Sequence, residues 1–205
     1  MWNIGVRPSR IEALCDGVFA IAMTILVLEL SLEPEIIDTL AGVHGGDFWH
    51  TFNAIYTYIL GFITLGIYWA FHHYMFHFIK RSNGVLVWLN ILFLIFAALV
   101  PLSTKVSRVY EESYQGFAFN LLTTIITFLM LLIIWQYATR KYRLVDRDID
   151  KEIINFVNKI IIIGSSLAFV VLIITYFIPV FGYMIFIPMF YVIIAIAYGH
   201  HKPFF

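Results

Sequence analysis

Ser9-Arg10-Ile11-Glu12-Ala13-Leu14-Cys15-Asp16-Gly17-Val18-Phe19-Ala20-Ile21 opens an apolar run that continues through Met23-Thr24-Ile25-Leu26-Val27-Leu28 to Leu32. As one helix, residues 10–32 are about 34 Å long at 1.5 Å per residue. That is enough to cross a hydrocarbon core of about 30 Å with slight tilt. Arg10, Glu12 and Asp16 sit in its opening turns. Ionisable groups inside a membrane cost roughly 2.5–3.5 kcal/mol each on insertion scales, and they persist where they face protein or water and serve a function. The helix is therefore read as a working element and not as a plain lipid anchor.

The rest of the chain repeats the pattern. Of 205 residues, 61% are hydrophobic and 13% charged, with a mean hydropathy of +0.88. Soluble domains are about 45–50% apolar and about 25% charged, so the chain is an integral membrane protein. Apolar stretches of spanning length predict an all-α bundle of six transmembrane helices in a single domain. They lie at about 10–32, 49–78, 85–104, 115–139, 154–178 and 181–198. Five spans followed by a re-entrant pair is the alternative at the C-terminal end, because the last run is short and follows Pro179 and Gly182 closely.

Lys and Arg set the orientation. Arg7, Arg10, Lys80, Arg81, Arg140, Lys141, Arg143, Arg147, Lys151, Lys159 and Lys202 fall on one side, and only Lys105 and Arg108 on the other, offset by Glu111 and Glu112. Both termini are thus expected in the cytoplasm of a multi-pass cell-membrane protein. The formal net charge of zero hides this asymmetry and gives no sign of nucleic-acid binding. Cys15 is the single cysteine, so no intrachain disulfide forms. The basic, then apolar, N-terminus imitates a signal peptide, but Glu33-Pro34-Glu35 is a poor cleavage site, and the first span is read as retained.

Local signals refine the outline. Ser9-x-x-Glu12 reads as a capping box that starts the first helix at Arg10, and Pro34 ends it. Asp47 and Asp150 are candidate caps for the second and fifth spans. Pro101 and Pro188 are placed to kink or end the third and sixth. Trp49, Tyr56, Tyr58, Trp69, Trp135, Tyr137 and Tyr142 fit an interfacial aromatic belt; a cation–π site is the alternative.

Along the first helix, Gly17, Ile21, Thr24, Leu28 and Ser31 recur at spacings of 4, 3, 4 and 3, which forms one narrow seam. Arg10 lies on nearly the same line, and Val27 is placed on the opposite face. One reading is a helix-packing seam, where small and hydroxyl residues are enriched. The other is a pore lining shared by several copies around an axis. In that case Ile21 and Leu28 form apolar rings that gate by dewetting, and Thr24 forms a ring of hydroxyls that replaces part of an ion's water shell. Ile25 and Ser31 join Gly17 and Thr24 as pore-lining candidates.

Asp16 points away from the seam. A network linking it to Trp69, His72 and Asn90 is expected, against separate contacts to water and headgroups. His73 and His77, at i and i+4, have zinc-ligand spacing. No second histidine group accompanies them, so metal catalysis is not expected. Hydroxyls at Thr123, Thr124, Thr127, Ser165, Ser166 and Thr175 are assigned to packing seams. There is no nucleotide-binding loop, no ladder of arginines and no Thr-Val-Gly-Tyr-Gly filter.

These residues resemble a known family. Arg10-x-x-x-Leu14-Cys15-Asp16 is similar to the Arg-x-x-x-Phe-Ser-Asp signature of the transmembrane protein 175 family of potassium channels, with Leu14 and Cys15 in place of Phe and Ser. The likeness runs through Thr24-Ile25-Leu26-Val27-Leu28-Glu29, Trp69-x-x-His72, Asn90, Pro101 and Thr104. It implies a homotetramer of the prokaryotic single-repeat branch, with helix 1 of each subunit lining a central pore. It implies a constriction at Ile21, a selectivity-related hydroxyl layer at Thr24 and a further apolar ring at Leu28. Arg10, Cys15, Asp16, Trp69, His72 and Asn90 become a structural network near the cytoplasmic side. The implied activity is a potassium leak with modest preference over sodium. K+ and other monovalent cations are the permeant partners, membrane lipid is the surroundings, and there is no cofactor and no enzymatic reaction. A proton-coupled or other secondary transporter is the alternative. Transporters place ionisable groups near the midplane on broken helices, whereas the charges of helix 1 are expected near its cytoplasmic end, which favours the channel.

Overall fold

A computed structural model describes residues 6–42, 48–110 and 113–177. The sixth expected span, its re-entrant alternative, Pro188, Asp47 and the Glu111–Glu112 pair lie outside the described residues. So does the side chain of Ser31.

The elements are helical throughout: α1 (Pro8–Ser31), α2 (Pro34–Leu40), α3 (Phe48–Phe78), α4 (Gly84–Ala98), α5 (Val100–Val109), α6 (Tyr114–Thr139), a 3-10 turn (Arg140–Tyr142) and α7 (Lys151–Phe177). Among the described residues, five stretches are long and apolar enough to cross a membrane, and α4 with α5 forms one of them.

Proline decides several boundaries. The capping box does not form: Arg7 occupies the N-cap position without a side-chain cap bond, and Pro8 stands in the first turn. Proline's fixed φ suits a first helical turn, and its missing N–H is not needed there, so the helix starts before Ser9 can cap it. Pro34 ends α1 and also starts α2 by the same rule. Pro101 neither ends the third span nor only bends it. The helix breaks at Leu99 and resumes as α5, with the proline in its first turn. Asp150 does cap α7, accepting from the Glu152 N–H at 2.8 Å. Asn83 caps α4 through Leu86 N–H at 3.0 Å.

The core runs through the middle of the bundle. Trp135, Tyr68, Phe93 and Phe128 are fully buried, and Tyr68 meets Phe128 edge-on at 5.1 Å. α6 packs on α4, α5 and α7, while α1 lies against α3, α4 and α5. α1 buries Ile11, Cys15, Phe19, Ala22 and Leu26, a spacing of 4, 4, 3 and 4 that marks one helix face. Leu26 approaches α3 closely at Gly61, where an added Cβ would stand 3.2 Å from its Cδ2. The hydroxyls assigned to packing behave accordingly: Thr127, Thr175 and Ser165 donate to carbonyls one turn back at 2.7, 2.7 and 2.9 Å.

Candidate functional site

The first site is the outward face of α1. Ile21 is 61% exposed and Leu28 57%, and Gly17 and Thr24 are exposed between and below them. A Cβ added at Gly17 would meet nothing within 4 Å. Among the described residues, the seam is thus turned outward from the rest of the subunit. The Thr24 hydroxyl donates to the Ile21 carbonyl at 2.8 Å. Its proton is thereby committed to the helix, and its oxygen lone pairs are left outward. Ile25 is exposed to a lesser degree, at 40%. Val27 is not sheltered on an opposite face: it is 46% exposed, and at 100° per residue it stands about 120° from Ile21. The outward arc of α1 is wider than the seam.

Behind that face, the polar residues sort into two groups. Cys15 Sγ lies 3.2 Å from His72 Nε2 and 3.4 Å from Asn90 Oδ1, and His72 Nε2 lies 2.8 Å from Asn90 Oδ1. All three side chains are buried. The geometry suits Nε2–H and the thiol both donating to Oδ1. His72 is also held between the rings of Phe76 at 4.2 Å and Phe93 at 5.4 Å. One residue each from α1, α3 and α4 thus meets in apolar surroundings, where a satisfied polar contact is costly to break. Asp16 stands apart from this triad. It is exposed and accepts from Trp69 Nε1 at 2.8 Å, and the Trp69 ring stacks on His73 at 5.4 Å. Arg10 is exposed and makes no ion pair with a described residue. His73 and His77 are both exposed, and among the described residues no three His, Cys, Asp or Glu side chains converge as a metal site.

At the other end of α1 the structure holds an ion pair that no local sequence pattern encodes. Arg108, buried on α5, grips Glu33 with both terminal nitrogens, Nη1 reaching Oε2 at 2.9 Å and Nη2 bonding Oε1. The Arg108 hydrogen bond holds the Glu33 carboxyl below its ordinary value of 4.5, against the opposing pull of burial. His50 of α3 approaches Glu33 at 3.8 Å and Glu35 at 3.9 Å. Glu29, one turn earlier on α1, is half-buried, so the charges of α1 gather at both of its ends and not at one. Between α3, α5 and α6 lies a cavity of about 20 Å³, room for a single water. Thr57, Thr64, Thr104, Ser107, Asn120 and Thr124 supply its polar lining.

Comparison with known proteins gives a consistent answer. Residues 10–101 match the profile of the family described as endosomal/lysosomal potassium channel TMEM175. A potassium channel of Streptomyces collinus is 32% identical over 152 residues, which cover 70% of each chain. The endosomal/lysosomal proton channel TMEM175 of Gallus gallus is 29% identical over 139 residues, covering 65% of this chain and 27% of that one. Among solved structures, the lysosomal potassium-selective channel TMEM175 homolog from Chamaesiphon minutus superposes with a TM-score of 0.77 over 95% of this chain and 98% of that one. At 20% identity that likeness speaks for the fold.

Proposed function

The chain belongs to the TMEM175 family, a family of ion channels and not of enzymes, and from that premise we propose that it is a potassium-permeable leak channel of the cell membrane. Four copies surround an axis, each presenting the outward face of α1. The observation that supports this most is the exposure of the seam: among the described residues, Gly17, Ile21, Thr24 and Leu28 are exposed while another stripe of the same helix is buried. An apolar membrane helix gains nothing from a hydroxyl facing lipid, but in a pore that hydroxyl offers lone pairs to a partly dehydrated cation.

In this reading Ile21 and Leu28 are the apolar rings, Thr24 is the selectivity layer, and Gly17, Ile25 and Ser31 complete the lining. The Cys15–His72–Asn90 triad and the Asp16–Trp69 pair hold α1 at a fixed rotation, so that the seam faces the axis. Both termini lie in the cytoplasm, where the basic residues gather. The test is bi-ionic recording from purified protein in planar bilayers. A reversal potential favouring K+ over Na+ is expected. Flux that saturates and couples stoichiometrically to protons would replace the channel with a carrier, and a proton current without potassium current would replace the permeant ion.

A further inference from the structure

We propose that residues 80–81 and 140–143 form one basic shelf that binds the phosphate of an anionic lipid headgroup. The two segments are far apart in sequence but joined in space. Ile79 pairs with Val145 in an isolated antiparallel bridge, and the Lys80 and Arg81 amides both donate to the Leu144 carbonyl at 2.9 and 3.1 Å. The Arg81 guanidinium reaches over to the Tyr142 carbonyl at 3.1 Å and bonds the Val145 carbonyl as well. Ile79, Leu144 and Val145 are buried beneath. An apolar plug thus anchors the shelf, and the cations ride on it.

Two observations set the shelf apart from an ordinary solvated loop. Lys141 (φ 55°, ψ 28°) and Tyr142 (φ 52°) are consecutive left-handed residues, a conformation that non-glycine residues avoid and that tends to be retained where it positions something. The charges are also segregated. Lys80, Arg81, Arg140, Lys141 and Arg143 are all exposed with no acidic residue among them, and the acids begin only at Asp146. Lys80 caps the His77 carbonyl at 2.7 Å and Arg143 lies over the Tyr137 ring at 4.5 Å. None of the five is neutralised by an ion pair with a described residue.

Depth favours lipid over a soluble phosphate. The spans end at Phe78 and Tyr142 and begin again at Gly84 and Lys151, so the shelf lies at the level where helices leave the hydrocarbon and headgroup phosphates begin. Basic pockets between span ends are attracted to anionic lipids by that surface charge.

The experiment titrates the purified full-length protein in neutral detergent with short-chain phosphatidylglycerol, phosphatidylcholine or inorganic phosphate, following the thermal midpoint. Nothing in this readout depends on ion conduction, so it can fail or succeed independently of the channel reading. Phosphatidylglycerol should raise the midpoint and phosphatidylcholine should not. Replacing Arg140→Gln and Lys141→Gln together should weaken the apparent phosphatidylglycerol affinity about tenfold. The charge-matched pair Arg147→Gln and Lys151→Gln should change it less than about twofold. Lys141→Gly relieves the left-handed residue, so it should raise the basal midpoint and still weaken phosphatidylglycerol binding. Equal shifts from phosphatidylcholine, or from inorganic phosphate at the same concentration, would overturn the proposal. So would equal loss in the charge-matched pair, or unchanged affinity in Lys141→Gly.

Discussion

In the proposed pore, Thr24 is where a single oxygen would discriminate between ions. Its hydroxyl proton is spent on the Ile21 carbonyl at 2.8 Å, so what it offers outward is acceptor capacity alone. Valine keeps the shape and removes the oxygen. Thr24→Val is therefore expected to lower the potassium-to-sodium permeability ratio, read as a shift of the bi-ionic reversal potential toward zero. An unchanged potential removes Thr24 from the filter. Glu33 gives a second test at this scale. Arg108 holds its carboxyl below 4.5, so the pair's contribution to stability is fully present above about that pH. It is lost as the pH falls through the lowered value of the folded state. Glu33→Gln should melt earlier than the wild type near neutrality, and the two should converge in acid. A gap that stays constant with pH shows that the pair is not what the substitution removed.

At the scale of elements, much was legible in the sequence and the failures have physical causes. Long apolar runs announce helices because a membrane leaves the backbone no other partner, and α3, α6 and α7 follow those runs. The start of α1 differs from the expected Arg10 because two N-terminal signals overlap, and Pro8 acts one residue before Ser9 can. The break at Leu99 was half visible: Pro101 marks it, but only packing decides between a bend, an end and a restart. The seam on α1 was readable as periodicity, yet whether it faced its own subunit was not, since periodicity names a face and not its neighbour. The grip of Arg108 on Glu33 joins residues 75 apart, and no local pattern encodes it. The triad shows the same limit. Asp16 is adjacent to Cys15 in sequence, but 100° of helix sends one side chain to the exposed surface and the other into the His72–Asn90 contact.

For the whole molecule, the proposed channel makes assembly and conduction rest on what α1 presents to its copies. Arg10 is exposed and unpaired with any described residue of its own subunit, and a bare guanidinium at a cation pore's mouth would repel the permeant ion. It is therefore expected to pair across a subunit boundary, and Arg10→Ala should lower the tetramer fraction in size-exclusion chromatography with light scattering. Normal assembly with increased conductance would contradict that. The decisive position is Ile21. It is the most exposed large hydrophobic residue of the apolar span Pro8–Leu30, at 61%. A ring of four β-branched side chains has no polar atom to replace an ion's hydration shell, so passage there requires transient widening or wetting. Shortening the ring should widen it, and an amide should help it stay wet. Ile21→Ala and Ile21→Asn are thus both expected to raise single-channel conductance severalfold, and Ile21→Asn should also reduce selectivity. Val27 is the comparison because it is exposed on the same helix, at 46%, but stands about 120° away. With the seam on the axis it faces a neighbour or lipid, and Val27→Ala should leave the current nearly unchanged. If substitutions at Ile21 and Val27 changed the current equally, the seam would not line the pore. Its exposure would then mark a contact between subunits, and conduction would have to be sought along another face of α1.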